Sequence, residues 1–142
     1  MNGQPPPSIL LVEDDQVEQR MIARAFRQRR AVGTIRFADD GVAALQILRG
    51  GSGEGPLERP YIIILDLDLP RMDGHQFLRE LRQDPALASA VVFVRTTSRS
   101  PEDRAAAYAR HIAGYIPKTD APRALDEVID LIEGYGRVVE LP

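Results

Sequence analysis

The sequence predicts an α/β fold in which a five-stranded parallel sheet is wound on both faces by five helices. Three observations predict it. Short aliphatic runs alternate along the chain with longer stretches whose apolar residues recur at helical spacing, the pattern of strand and crossover helix repeated. The runs are continuous rather than alternating, as strands buried on both faces require. Several of them also end in an acid, a hydroxyl or an amine, and in open parallel sheets that end of the strands is where ligands bind.

The chain is organised around Tyr61 to Gly74, YIIILDLDLPRMDG. Ile62 to Leu65 forms the central strand and delivers Asp66 to its C-terminal end. Asp66 and Asp68 flank Leu67, Pro70 bars continuation of a central strand, and Asp73-Gly74 supplies a turn and a helix cap.

Before it, Met1 to Pro7 with its three consecutive prolines reads as a flexible or extended arm of little structure. Ser8 to Val12 is a doubly buried strand ending in Glu13, Asp14 and Asp15. Val17, Met21, Ile22, Ala25 and Phe26 then mark one face of a helix from Gln16 to about Arg29. Thr34 to Ala38 is a strand, Asp39-Asp40-Gly41 a turn, and Val42 to Arg49 a helix. Gly50 to Pro60 (GGSGEGPLERP) reads as a mobile surface loop, and it lacks the Gly-Lys-Ser/Thr of a phosphate-cradling loop.

After the central stretch, Phe77, Leu78 and Leu81 place a helix over His75 to Asp84, and Pro85 marks its exit. Val91 to Val94 is a strand running into Arg95, Thr96, Thr97 and Ser98. Ser100-Pro101-Glu102-Asp103 combines a capping serine, a proline at the first helical position and an acid at the third, opening a helix to about Ile112. Gly114 to Ile116 is a last short strand with Pro117-Lys118 at its end, and Pro122 to Glu133 a closing helix on Leu125, Val128, Ile129 and Ile132.

With 142 residues the chain has room for one domain, read here as residues 8–134, with 135–142 (YGRVVELP) as an extension beyond it. A formal charge of -3 gives no reason to expect nucleic acid as a partner. The chain has no cysteine, which excludes disulfides and thiolate metal sites and suits a reducing cytoplasm. Its apolar runs are far shorter than the roughly 20 residues that span a bilayer, so no membrane partner is expected.

Glu13, Asp14, Asp66, Asp68, Thr96 and Lys118 therefore gather at one sheet edge. Carboxylates that close repel one another and call for a cation between them. Oxygen ligands without histidine or cysteine favour a hard ion, and Mg²⁺ suits a site that must leave positions for a phosphoryl oxygen. Lys118 and Thr96 would steady a transferring phosphoryl group, with the Asp66 carboxylate as nucleophile.

With these motifs (VED at Val12 to Asp14, LDLDLPRMDG, Thr96-Thr97 and Tyr115 to Lys118) the chain resembles the receiver domain of two-component response regulators over about Ser8 to Glu133. The resemblance implies the flavodoxin-like strand order 2-1-3-4-5. It also implies Asp66 as phosphoacceptor, Asp14 and Asp66 as direct Mg²⁺ ligands, Glu13 as a ligand through water, and Asp68 through its backbone carbonyl. Thr96 and Lys118 would contact the phosphoryl group, Thr96 and Tyr115 would switch, and Asp68 and Ser98 would tune hydrolysis. The protein so implied is a switch rather than an enzyme. His75 and His111 read as surface helix residues rather than phosphorelay histidines. Two positions depart from the family. Thr119 follows Lys118 where a cis-proline is common, with Pro117 before it instead, and Arg95 stands where the family has an aliphatic residue, so it must reach solvent or a carboxylate.

The glycine-rich stretch, DLDLPRMDG and VRTTS resemble stand-alone regulators paired with phytochrome-type histidine kinases, which implies output by protein contact. Val138, Val139 and Leu141 in the extension suggest a homodimer docked through the C-terminal end. Two other readings compete. A haloacid-dehalogenase-type phosphatase would share Asp66-Leu67-Asp68, but Leu69-Pro70 and the upstream position of the acidic pair depart from its pattern. An adaptor with a degenerate site would not need the intact acids, Thr96 and Lys118.

Overall fold

The computed structural model of the protein describes residues 2–29 and 32–142. Five strands, β1 (Ser8–Val12), β2 (Ile35–Ala38), β3 (Tyr61–Leu65), β4 (Val91–Thr96) and β5 (Gly114–Pro117), alternate with five helices, α1 (Gln16–Arg29), α2 (Gly41–Leu48), α3 (Gly74–Gln83), α4 (Pro101–Ala109) and α5 (Ala124–Val138). Every strand pairing is parallel and the order is β2-β1-β3-β4-β5, the flavodoxin-like arrangement expected.

Successive strand residues point to opposite faces, so each buried strand feeds two cores. Ile9, Leu11, Ile62, Ile64 and Phe93 pack against Ile22 and Phe26 of α1 and Val128, Ile129 and Ile132 of α5. Leu10, Val12, Ile63, Leu65, Val92 and Val94 meet Leu45 of α2, Phe77, Leu78 and Leu81 of α3, and Ala107 of α4. The register sets Val12 beside Leu65 and Leu65 beside Val94, which brings the polar residues that follow these strands out along one edge. The Asp66 N–H donates to the Val12 carbonyl at 2.9 Å and the Lys118 N–H to the Thr96 carbonyl at 2.8 Å, holding that edge together.

Most element ends fall within a residue or two of the expected ones, but the closing helix does not stop near Gly134. It runs on to Val138, and Tyr135, expected to be surplus, packs edge-on against Phe93 with ring centroids 5.2 Å apart. A Cβ on Gly136 would lie 2.9 Å from Cγ of Pro7, so this glycine serves close packing inside the helix rather than its termination. The arm has no regular structure over residues 2–7, yet it lies across the end of α5. Asn2 Nδ2 and Gln4 Nε2 donate to the Val139 carbonyl at 2.8 and 2.6 Å, and Gln4 Oε1 accepts the Leu141 N–H at 3.2 Å. Leu141 packs on the α1/α5 core, so part of the extension folds back on its own chain. Met1 of the expected arm lies outside the described residues.

The glycine-rich loop carries anchors that the expectation of a mobile loop did not include. Leu57 is buried, and Arg36 of β2 donates to the Gly55 carbonyl and the Ser52 hydroxyl, both at 2.6 Å. No described helix is long and apolar enough to cross a membrane.

Candidate functional site

Glu13 and Asp66, the first residues beyond β1 and β3, are 2% and 7% exposed. Lys118, just past β5, donates from Nζ to Glu13 Oε1 at 2.5 Å and to Asp66 Oδ2 at 3.0 Å. Asp14 is exposed, and one oxygen from each of Glu13, Asp14 and Asp66 lies within 4.8 Å of the others. Burial pushes the Glu13 carboxyl up, more than the Lys118 hydrogen bond pulls it down. Burial acts to lower the Lys118 ammonium, but its bonds to Glu13 and Asp66 outweigh this and it is raised. The lysine is thus the built-in counter-ion of an anionic cluster. These acids offer only oxygen, one face of the cluster opens to solvent at Asp14, and the donor set fits a hard divalent ion such as Mg²⁺.

Asp68 is exposed and is not one of the three clustered carboxylates; its N–H donates to Asp66 Oδ1 at 3.2 Å. Its side chain thus stands outside the cluster, and the role expected of Asp68 concerns its backbone carbonyl. The loop bearing it is pinned at three points. Gly74 N–H donates to the Leu67 carbonyl at 2.9 Å, and a Cβ on Gly74 would sit 2.6 Å from the Asp66 carbonyl oxygen, so no larger residue fits. Met72 accepts the Gly41 N–H at 3.0 Å, where a Cβ on Gly41 would meet the same carbonyl at 2.8 Å. Arg71, at φ 61°, places its Nε 2.6 Å from Oδ2 of Asp40. Asp40, 1% exposed, caps α2 by accepting the Ala43 N–H at 2.8 Å. Burial acts to raise its carboxyl, but the Ala43 N–H and the Arg71 guanidinium together hold it below the usual range.

Thr96 is fully buried at the end of β4, and its Oγ1 accepts the Ser98 N–H at 3.3 Å. Tyr115 is half-buried. Its hydroxyl donates to the Ser98 carbonyl at 3.2 Å, while its N–H donates to the Tyr108 hydroxyl at 3.2 Å. The structure therefore brings together Glu13, Asp14, Asp66 and Lys118, and sets Thr96, Ser98 and Tyr115 in one chain of contacts. Asp15 belongs to the helix start rather than to the cluster, accepting the Val17 N–H at 2.9 Å.

Arg95 finds a carboxylate: its Nη1 lies 2.9 Å from Glu18 Oε2, with the arginine side chain 11% exposed. The sequence reading missed Glu18 and Arg71. Glu18 is the lone acid in a helix whose other charges are arginines, a signal that could have marked it as having a specific partner. Lys118 reaches the site without a cis bond before Thr119, since the only cis peptide among described residues is Arg59-Pro60. His75, expected on the surface, is half-buried and bonded to Asp103 across the α3/α4 boundary at 3.0 Å, whereas His111 is exposed.

A family model described as the response regulator receiver domain matches residues 9–130. The probable methanogenesis regulatory protein FilR2 of Methanothrix harundinacea (strain 6Ac) is 36% identical over 96% of this chain and 90% of its own length. Response regulator Rcp1 of Synechocystis is 33% identical over 97% of this chain and 95% of its own. The crystal structure of the Mn(2+)-bound form of response regulator Rcp1 superposes with a TM-score of 0.80 at 31% identity, covering 96% of this chain and 99% of that one. The phosphorylated cyanobacterial phytochrome response regulator RcpA gives a TM-score of 0.81 at 30% identity over 96% and 99%. Strand order, the acidic edge with its lysine, and these matches lead to one conclusion: the chain belongs to the response regulator receiver family of two-component signalling.

Proposed function

We propose that Asp66 accepts a phosphoryl group from a phosphohistidine of a histidine kinase, in a reaction requiring Mg²⁺, and that the signal leaves by protein contact. The observation that carries this reading is the Lys118 ammonium shared between Asp66 and Glu13 at the C-terminal edge of the sheet. An Asp66 carboxylate oxygen attacks phosphorus, the P–N bond breaks, and the imidazole leaves with the electron pair. Lys118 needs only to exchange one carboxylate partner for a phosphoryl oxygen, and the Thr96 hydroxyl donates to another. Asp14 and Asp66, with Glu13 through water and the Asp68 carbonyl, would hold Mg²⁺, which would supply positive charge to neutralise those oxygens. As Thr96 turns to the phosphoryl group its bond from Ser98 changes partner, and Tyr115, tied to the Ser98 carbonyl, responds.

A phytochrome-type kinase as donor is supported by the likeness to RcpA and Rcp1, and a cytoplasmic location by the absence of cysteine. A homodimer through the C-terminal end of α5 is supported by Leu131 and Val138, seven residues apart on one helix face and 44% and 68% exposed. Sedimentation of the chain and of Val138→Asp tests this part, a monomer in both discarding it. The phosphoacceptor assignment is tested by phosphotransfer to the wild type and to Asp66→Asn with and without Mg²⁺. Uptake only by the wild type with Mg²⁺ is expected, and equal labelling of the variant refutes the assignment.

A further inference from the structure

We infer that His75 is a positioning residue that lengthens the life of the phosphorylated state by keeping the Ser98 hydroxyl committed to Asp103. The inference rests on the phosphoacceptor reading and adds to it a residue that lies outside the acidic edge. Every polar atom of Ser98 has a partner. Its N–H donates to Thr96 Oγ1 at 3.3 Å, its carbonyl accepts the Tyr115 hydroxyl at 3.2 Å, and its Oγ accepts the Ser100 N–H at 3.3 Å while donating to Asp103 Oδ2 at 2.6 Å. A hydroxyl carries one proton, so while Asp103 holds it Ser98 has none to offer a water or a phosphoryl oxygen.

Asp103 is itself held. It occupies the first turn of α4, where its N–H is capped by Ser100 Oγ at 3.2 Å, and its Oδ1 lies 3.0 Å from Nε2 of His75 in the first turn of α3. The bonds from Ser98 and then from His75 keep its carboxyl below the usual range, so it accepts from both partners. One carboxylate thus bridges two helices with one oxygen and fixes a serine hydroxyl with the other. Removing the imidazole frees Asp103 to rotate and the Ser98 hydroxyl to orient a water.

In the hydrolysis affected, a water oxygen attacks phosphorus, the bond from phosphorus to the Asp66 oxygen breaks, and the carboxylate leaves with the electron pair while both of the water's protons end on the inorganic phosphate. The test is the decay of radiolabelled phosphoryl-Asp66 in the full chain and in His75→Ala, His75→Gln, Asp103→Asn, Ser98→Ala and the His75→Ala/Ser98→Ala double variant. Loss of His75 should shorten the lifetime roughly two- to tenfold, the span that one hydrogen bond covers. Asp103→Asn should do likewise, and glutamine, which keeps an N–H donor, should stay within about twofold of wild type. In the Ser98→Ala background the His75 effect should vanish, which a general loosening of α3 against α4 would not produce. Normal uptake with an unchanged lifetime in His75→Ala and Asp103→Asn, or an equal His75 effect with and without Ser98, overturns the inference alone. No uptake by the wild type overturns the phosphoacceptor reading and this inference with it.

Discussion

Replacing Lys118 with alanine removes the only ammonium from a cluster in which it lies 2.5 Å from one buried carboxylate and 3.0 Å from another. Breaking a buried ion pair from one side costs about 3–5 kcal/mol, because the remaining charge is left uncompensated. The exposed face at Asp14 lets water screen part of this, so we take the low end, about 3 kcal/mol. For a chain of this length that is a fall in Tm of about 6–12 °C. The metal should then act in the opposite sense. In the wild type an ion enters a site already half neutralised, whereas in the variant it meets three acids with no competing ammonium. Each tenfold gain in affinity adds about 1.4 kcal/mol, so Mg²⁺ should raise the Tm of Lys118→Ala by more than it raises that of the wild type.

The pH dependence follows from Glu13. Its carboxyl is already raised by burial, and without the lysine it rises further. A folded state that binds this proton more tightly than the unfolded chain loses stability as pH rises through the folded pKa, so the variant should recover stability on mild acidification. Calorimetry of both proteins, with and without Mg²⁺, reads all three effects. A metal-free variant melting within about 2 °C of wild type, or gaining no more from Mg²⁺, refutes the reasoning.

Three further outcomes are expected. Gly74→Ala forces a Cβ against the Asp66 carbonyl and Leu67 Cα, both backbone, and should cost about 1–3 kcal/mol and weaken Mg²⁺ binding. Gly53→Ala, with open space around the new Cβ, is the control and should stay within about 0.5 kcal/mol in the same urea titrations. Asp40→Asn keeps a cap but loses the charge held by Arg71. Because the folded state lowers this carboxyl, its stabilisation is present at neutral pH and lost as pH falls, and the variant should flatten that acid limb at a neutral-pH cost of about 1 kcal/mol in pH-dependent melts. Arg95→Ala strands Glu18 and should cost about 1–2 kcal/mol by denaturant unfolding, whereas Arg95→Leu with Glu18→Gln should be close to neutral.

The parallel sheet was legible because a strand covered on both faces must be apolar at every position, and SILLV, YIIIL and VVFV have no other ready use. The site was legible for a related reason. Strand ends are fixed points, so acids at Glu13 and Asp66 and an amine at Lys118 had to meet once their strands were neighbours. Pairings set by packing between helices were not legible. Glu18 with Arg95, and His75 with Asp103, join residues far apart in the chain whose meeting depends on helix rotation. The end of α5 was misread because glycine at 134 and 136 signals a helix stop on intrinsic propensity. What overrides propensity at Gly136 is Pro7, whose ring needs the space a side chain would fill, and nothing local in YGRVVELP announces that contact.

The central claim is that Asp66 is the group that changes covalently. The most direct measurement is mass spectrometry of the intact chain and its peptides after incubation with an autophosphorylated histidine kinase and Mg²⁺. The account predicts one base-labile phosphoryl group on the peptide containing Asp66, absent in Asp66→Asn and absent without the metal. A phosphoryl group on another residue, or labelling of Asp66→Asn at the wild-type rate, contradicts it.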